Sequence, residues 1–511
     1  MSDWTEGYVA DIEYTYGHYA EQNPLRIKLA FLDQGLVFPE IGTACELGFG
    51  QGLSTNLHAA ASVVQWYGTD FNPSQAGFAQ ELAIASGAGA KLYDEAFDEF
   101  SARQDLPEFD YIALHGIWSW ISDDNRQVIV DFIRKKLKVG GVLYISYNTL
   151  PGWGAFVPMR HLMAQHAELL GAKGQGIVNR IDATLDFTEK LLAANPSFTR
   201  LNPHVVERLK TVHGQNRHYL AHEYFNRDWQ PMHFSSMAEL LQSAKLQYAC
   251  SAHYMDHVDA INLTPDQQEF LKSISDPVFR ESVRDFMVNQ AFRRDYWVKG
   301  VRKLNHLQRA ESLLKQRVIL INPRKDIVLE VTGLLGKAKL NEGIYNAILD
   351  FLSDHQIRTV SEIQDVVSAQ GISMTQIIEV LILMSGVGNI AAVQGNAVIS
   401  SAKKQTDKLN HHLCNRARGS SEINYLSSPV TGGGHVVTRF QQLFLLSMQQ
   451  GKKQPEDWAK DTWAILSSQG QRLIKEGSTL ESAEDNLAEL IMQANTFAEK
   501  QLPILRALQI A

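Results

Sequence analysis

Glu46-Leu47-Gly48-Phe49-Gly50-Gln51-Gly52 closes an apolar run that begins at Ile41, and it sets an acidic residue and three glycines where a strand turns into a helix. Glycines there supply positive φ and close backbone approach, and the helix N-terminus that follows offers free N–H groups to a ligand. The dinucleotide fingerprint is G-x-G-x-x-G, whereas the spacing here is G-x-G-x-G with Glu46 two residues upstream. A carboxylate at that point repels a pyrophosphate. It suits an amino-acid ammonium, reached directly or through water.

Four more strand-like runs follow in order. Val63 to Thr69 ends at Asp70, which is 24 positions after Glu46 and placed to accept both hydroxyls of a ribose. That spacing also fits a nicotinamide dinucleotide, so Asp70 alone does not discriminate. Lys91 to Tyr93 leads into Asp94-Glu95-Ala96-Phe97, where an adenine edge and face would be met. Phe109 to Leu114 stops at His115-Gly116-Ile117-Trp118-Ser119-Trp120, and Gly141 to Ser146 runs into Tyr147-Asn148. Strands separated by helical spacers predict an α/β, doubly wound, Rossmann-like parallel sheet.

Ordered in this way, E-L-G-x-G-x-G, the acidic ends of the second and third runs and F-D-x-I resemble the class I S-adenosylmethionine-dependent methyltransferases over roughly the first 260 residues. The three aromatic motifs His115 to Trp120, Ser146 to Trp153 and Tyr219 to Asn226 are similar to those of bacterial methyltransferases with a methyltransferase regulatory domain, a group that includes rickettsial lysine methyltransferases of outer-membrane protein. The resemblance implies a seven-stranded methyltransferase sheet, S-adenosylmethionine as cofactor and protein lysine as acceptor. A small-molecule or glycan-precursor methyltransferase, and a non-catalytic protein that senses the cofactor, stay open. On this reading the cofactor-binding residues are Glu46, Gly48, Gly50, Gly52, Asp70, Phe71, Glu95, Ala96, Phe97 and His115, with Tyr16 from a segment that would fold over the cofactor as a lid. The acceptor side falls to His115, Trp118, Tyr147, Asn148 and Glu223. His115 reads equally as a base or as a core histidine bonded to the loop, and Asn148 equally as a turn cap. Aromatic faces would hold an ammonium by cation–π contact and keep the site dry.

The chain divides into a catalytic domain over 1–260 with a helical insertion near 155–215, a helical middle region over 261–345, a winged-helix-like module over 346–400 and a helical C-terminal domain over 401–511. Phe286 to Arg302 reads as a polar, charged run within the middle region, and Leu426 to His435 as a glycine-rich connector. The third helix of the winged module, Ser373 to Met384, has Glu379 and neither Lys nor Arg, so it lacks the charge needed to neutralise phosphates. With a net charge of −8, this argues against nucleic acid as partner and tolerates a basic protein substrate. Met1 to Gly17 lacks the pattern of a signal peptide and no apolar stretch is long enough to span a bilayer, so a cytoplasmic location without membrane insertion is expected. Cys45, Cys250 and Cys414 are isolated, and His222-Glu223 lacks the second histidine of H-E-x-x-H, so neither a disulfide framework nor a metal site is expected. The C-terminal domain reads as a packing domain, with a homodimer as one use of it.

Overall fold

The computed structural model describes residues 15–171 and 176–511. Seven strands form one twisted sheet in the order β3-β2-β1-β4-β5-β7-β6. The first five are β1 (Thr43–Leu47), β2 (Gln65–Thr69), β3 (Lys91–Tyr93), β4 (Phe109–Leu114) and β5 (Leu137–Asn148), and they pair in parallel. The helices that return the chain between them are α2 (Leu53–Ala61), α3 (Pro73–Ser86), α4 (Phe97–Ala102) and α5 (Asp123–Lys136), with α1 (Pro24–Asp33) ahead of β1. Ligands bind such sheets outside the carboxyl ends of the strands, and here that edge falls at Leu47, Thr69, Tyr93 and Leu114.

The sheet does not end with β6 (Leu246–Ser251). Its antiparallel strand β7 (Phe292–Lys299) comes from beyond residue 260 and lies between β5 and β6, pairing Tyr144 with Tyr296 on one side and Gln247 with Val298 on the other. The run Phe286 to Arg302 therefore holds a central strand. Its charges are buried as a network: Arg293 donates to Asp295 at 2.9 Å, to Asp285 at 2.6 Å and to Glu281 at 3.0 Å. A buried arginine persists when its donors are matched this fully.

Side chains on β5 alternate between two cores, as a pleated strand requires. Val142 and Tyr144 face Phe31, Trp66, Tyr111 and Tyr296, while Leu143, Ile145 and Tyr147 face Phe109, Trp118, Phe234 and Trp297. Cys45 is fully buried in the second of these cores. Between β5 and β6 the chain makes a helical cap, from Val157–Leu169 through Arg217–Tyr224, with its own core around Trp153, Phe156, Met163, Ile181 and Leu209.

After the sheet, strand Arg317–Leu320 lies between Arg358–Thr359 and Ile390–Ala392, and helices Glu342–Phe351, Val360–Val367 and Met374–Gly386 pack around them in a winged-helix arrangement. Helix Met374–Gly386 is buried from Val380 to Ser385 and packs on Tyr254–His257 of the sheet domain, so it is not presented to a groove. The C-terminal helices follow, the longest of them, Asn396–Arg416, lying on α2 and α3. Leu426 to His435 is a β-hairpin rather than a connector: Tyr425–Ser428 pairs with Gly433–Val436, and Leu426, Ser427 and Ser428 are fully buried against the sheet domain. Among the described residues no helix is long and apolar enough to cross a membrane.

Candidate active site

The turn from β1 into α2 is built by glycine for steric reasons. Gly48 has φ +70° and a Cβ there would lie 2.7 Å from Ile117 Cγ2; Gly52 has φ +63° and its Cβ would meet that of Ala79 at 2.4 Å. Any other residue would open the loop or push α3 away.

Above this loop is a cavity of about 140 Å³. Glu46, Gly48, Gly50, Gly52, Asp70, Phe71, Glu95, Ala96, Phe97 and His115 all line it. Asp70 is 7% exposed and is tied to the loop, its two oxygens accepting from the backbone N–H of Gly50 at 2.8 Å and of Asn72 at 3.0 Å. Burial pushes its carboxyl up to about 7, against these two bonds. Glu95 accepts from Arg103 at 2.6 Å through Oε1, while its Oε2 is buried with no partner among the described residues.

Glu46 is engaged more fully than an open ammonium site would be. Oε1 accepts from Gln22 Nε2 at 2.5 Å and Oε2 accepts from the Thr55 hydroxyl, and burial pushes this carboxyl up to about 7. Gln22 in turn accepts from Ser54 Oγ at 2.7 Å. Glu46 therefore ties the N-terminal segment to α2 as well as reaching the cavity.

That segment closes one wall. Thr15, Gly17 and Tyr19 line the cavity, whereas Tyr16 turns away and packs edge-on against Phe78 of α3, with ring centroids 5.2 Å apart. Alternation along an extended chain explains the difference, since residues two apart share a face. Tyr19 stacks on His115 at 3.5 Å, and His115 Nδ1 is 2.7 Å from the Tyr144 hydroxyl. Burial lowers the His115 pKa to about 4 and raises that of Tyr19 above its ordinary value, so both are neutral walls at physiological pH. His115 is thus not poised to take a proton.

Three acceptor candidates of the sequence stand elsewhere. Trp118 and Tyr147 are fully buried on the far face of the sheet, Tyr147 by the alternation of β5 and Trp118 from the short turn after β4. Tyr147 donates to Asp295 at 2.8 Å within the Arg293 network. Tyr147→Phe should cost about 1–3 kcal/mol of stability in chemical denaturation, because a hydrogen bond to a charged group is lost in the interior, with the cavity wall intact. Asn148 is 4% exposed and outside the cavity wall; its N–H donates to Ser119 Oγ at 2.8 Å and its carbonyl accepts from Met232.

Glu223 adjoins the cavity from the helical cap. Trp120, which lines the cavity, donates its indole N–H to the Glu223 carbonyl at 3.4 Å, and the Glu223 charge acts on the Tyr19 hydroxyl. Desolvation alone pushes the Glu223 carboxyl up to about 7. Ser122, Asn125 and Asp228 complete the wall on the α5 side. Sequence reading missed these three, although Ser122 is a helix N-cap ahead of Asp123-Asp124 and so marked the start of α5.

The C-terminal hairpin holds this wall from behind. Gly434 donates its backbone N–H to His18 Nε2 at 3.1 Å, and Asn23 Nδ2 donates to the Thr431 carbonyl at 2.8 Å. His18 lies between His58 and Tyr425, with ring centroids 5.2 and 5.4 Å away.

Comparison with known proteins agrees with this architecture. Residues 216–299 match the model of a family described as a predicted methyltransferase regulatory domain. That match begins at the last helix of the cap and ends with β7. The Synechocystis protein sll1526 is 41% identical over 99% of this chain and 100% of its own length, and the Rickettsia prowazekii protein RP789 is 26% identical over 62% of this chain and 57% of its own. The structure of PKMT2 from Rickettsia typhi in complex with AdoHcy superposes with a TM-score of 0.69 at 17% identity, covering 98% of this chain and 100% of that one, so the whole fold is shared. With a full-length relative at 41% identity, this chain belongs to the same family as that Synechocystis protein, with a class I methyltransferase fold and a region that matches the methyltransferase regulatory domain.

Proposed function

We propose that this protein is an S-adenosylmethionine-dependent methyltransferase whose acceptor is the side-chain amine of lysine in a protein. The cofactor fits the residues present. Gly50, at φ +58°, has open space where a Cβ would stand, Asp70 is fixed beside it, and the unpartnered Oε2 of Glu95 awaits an N–H donor such as the amino group of adenine. Asp70 would hold the ribose hydroxyls and the Glu95 to Phe97 turn the adenine. S-adenosylmethionine, when bound, supplies an electrophilic methyl group.

The observation that carries the amine acceptor is Glu223. Its backbone carbonyl accepts from Trp120 of the cavity wall, its charge is felt at the Tyr19 hydroxyl, and desolvation alone raises its carboxyl to about 7. A lysine amine has an ordinary pKa of about 10.4 and reacts only as the free base. Aromatic faces attract the incoming ammonium, worth about 0.5–2 kcal/mol. Glu223 can then accept its proton at Oε, and burial helps by disfavouring both charged forms. The name PKMT2 of the rickettsial structural match agrees with this choice of acceptor.

The test incubates the purified full chain with methyl-labelled S-adenosylmethionine and a bacterial lysate resolved by size. Label in protein bands, recovered as methyl-lysine after acid hydrolysis, is the expected result. Label confined to small molecules would overturn the acceptor and favour a small-molecule methyltransferase.

A further inference from the structure

Behind the N-terminal segment lies a second cavity of about 130 Å³, nearly the size of the one at the glycine loop. It sits where three parts of the chain meet: the first turn of α1, helix Met374–Gly386 of the winged module, and the C-terminal hairpin. Such a volume exceeds what a single water needs by about tenfold.

Its polar groups are of one kind. Arg26 lines it, held by stacking on Tyr254 at 4.0 Å and by a bond from Nη1 to the Ser385 carbonyl at 3.2 Å. Its Nε is buried with no partner among the described residues. Ser385 also lines the cavity, and its hydroxyl, on a residue 8% exposed, is likewise unpartnered. Glu21, a carboxylate that feels the Arg26 charge, is committed to Arg294 at 2.6 Å. Among the described residues Arg26 therefore forms no ion pair in the wall, and buried donors left without partners cost about 1–3 kcal/mol each. Among the described residues the remaining walls supply no negative charge. His18 and His435 are held neutral by burial, at about 3 and about 4, and the N-terminal turn of α1, with Asn23 as its cap, adds the positive end of a helix dipole.

From the Arg26 guanidinium, the unpartnered Ser385 hydroxyl and the first turn of α1 around one cavity, we infer a second ligand site that takes a small oxyanion, a carboxylate or a phosphate. The guanidinium offers its unpartnered Nε–H and its positive charge, and the serine hydroxyl supplies a second donor. This site is separate from the methyl-transfer cavity, which is lined by Tyr19 on the other side of the same segment.

Titration calorimetry of the full chain in chloride buffer, with inorganic phosphate in one arm and malonate in the other, tests the site without any reference to methyl transfer. One-to-one saturable binding of at least one probe is expected, weakened at least about tenfold by Arg26→Gln and severalfold by Ser385→Ala. The arm that binds distinguishes phosphate from carboxylate. Ser385→Ala removes an unpartnered group and should fold, so it keeps the test valid if Arg26→Gln does not. No saturable binding of either probe, or equal affinity in the wild type and whichever variants fold, would overturn the site.

Discussion

Replacing Asp70 by alanine should weaken S-adenosylmethionine binding at least about a hundredfold while leaving the fold standing. Two ribose hydroxyls lose a charged acceptor, and the Gly50 N–H loses the carboxylate oxygen that fixes the loop. The fold survives because a carboxyl pushed up to about 7 by burial is not a net support to the native state at neutral pH. The same shift gives the wild type a pH dependence. Only the ionised carboxylate accepts two hydroxyl protons, so affinity should be about tenfold weaker at pH 6 than at pH 8, and the slope should flatten in Asp70→Asn to what Glu46, also pushed up to about 7, contributes. Calorimetric titration of the wild type and the two variants at both pH values reads all of this, and an Asp70→Ala protein that binds as well as the wild type would remove the ribose from this position.

Glu223→Gln should lower turnover about 10²- to 10⁴-fold, the range for loss of a positioned base, while cofactor affinity stays within about twofold. Its effect on stability runs the other way. A carboxyl whose folded pKa is raised from 4.5 to about 7 penalises the folded state once it ionises, a penalty absent below about 4.5 and complete above about 7. The variant should therefore melt higher than the wild type, with the gain growing as pH rises through that window. Reduced turnover with raised melting temperature separates a functional carboxylate from a structural one. Full turnover would dismiss Glu223 as the proton acceptor.

The first three strands were legible because glycines at Gly48 to Gly52, and acids at Asp70 and Glu95, break apolar runs at the edge where ligands bind, and the next two because their apolar runs stop at His115-Gly116 and Tyr147-Asn148. The seventh was not, because Arg293, Arg294 and Asp295 make β7 look like a surface run, and only the tertiary network that pairs Arg293 with three carboxylates reveals it as interior. The cofactor-side residues clustered for the same topological reason that made them readable. On the acceptor side, motif proximity misled: Tyr147 follows Ser146 directly, yet the pleat sends it to the opposite core, and Trp118 goes the same way. Tyr16 and Tyr19 could not be ranked by composition, because what separates them is which residues of an extended segment face inward. That the span 216–299 of the regulatory-domain match contains β6 and β7 is a further point no local pattern reveals, since those strands complete the sheet that bears the cofactor loop.

The bond from Gly434 to His18 bridges 416 residues, and that from Asn23 to Thr431 bridges 408. On a ribosome the chain emerges from its N-terminus, so all seven strands are out once Lys299 has appeared, while the hairpin that seats the wall of the cofactor cavity is still to be translated. Contacts so distant in sequence come late, after loop closure over most of the polypeptide. The nascent protein thus owns its glycine loop long before it owns the back support of Tyr19, and that part of the catalytic wall is finished only once Val436 has been added.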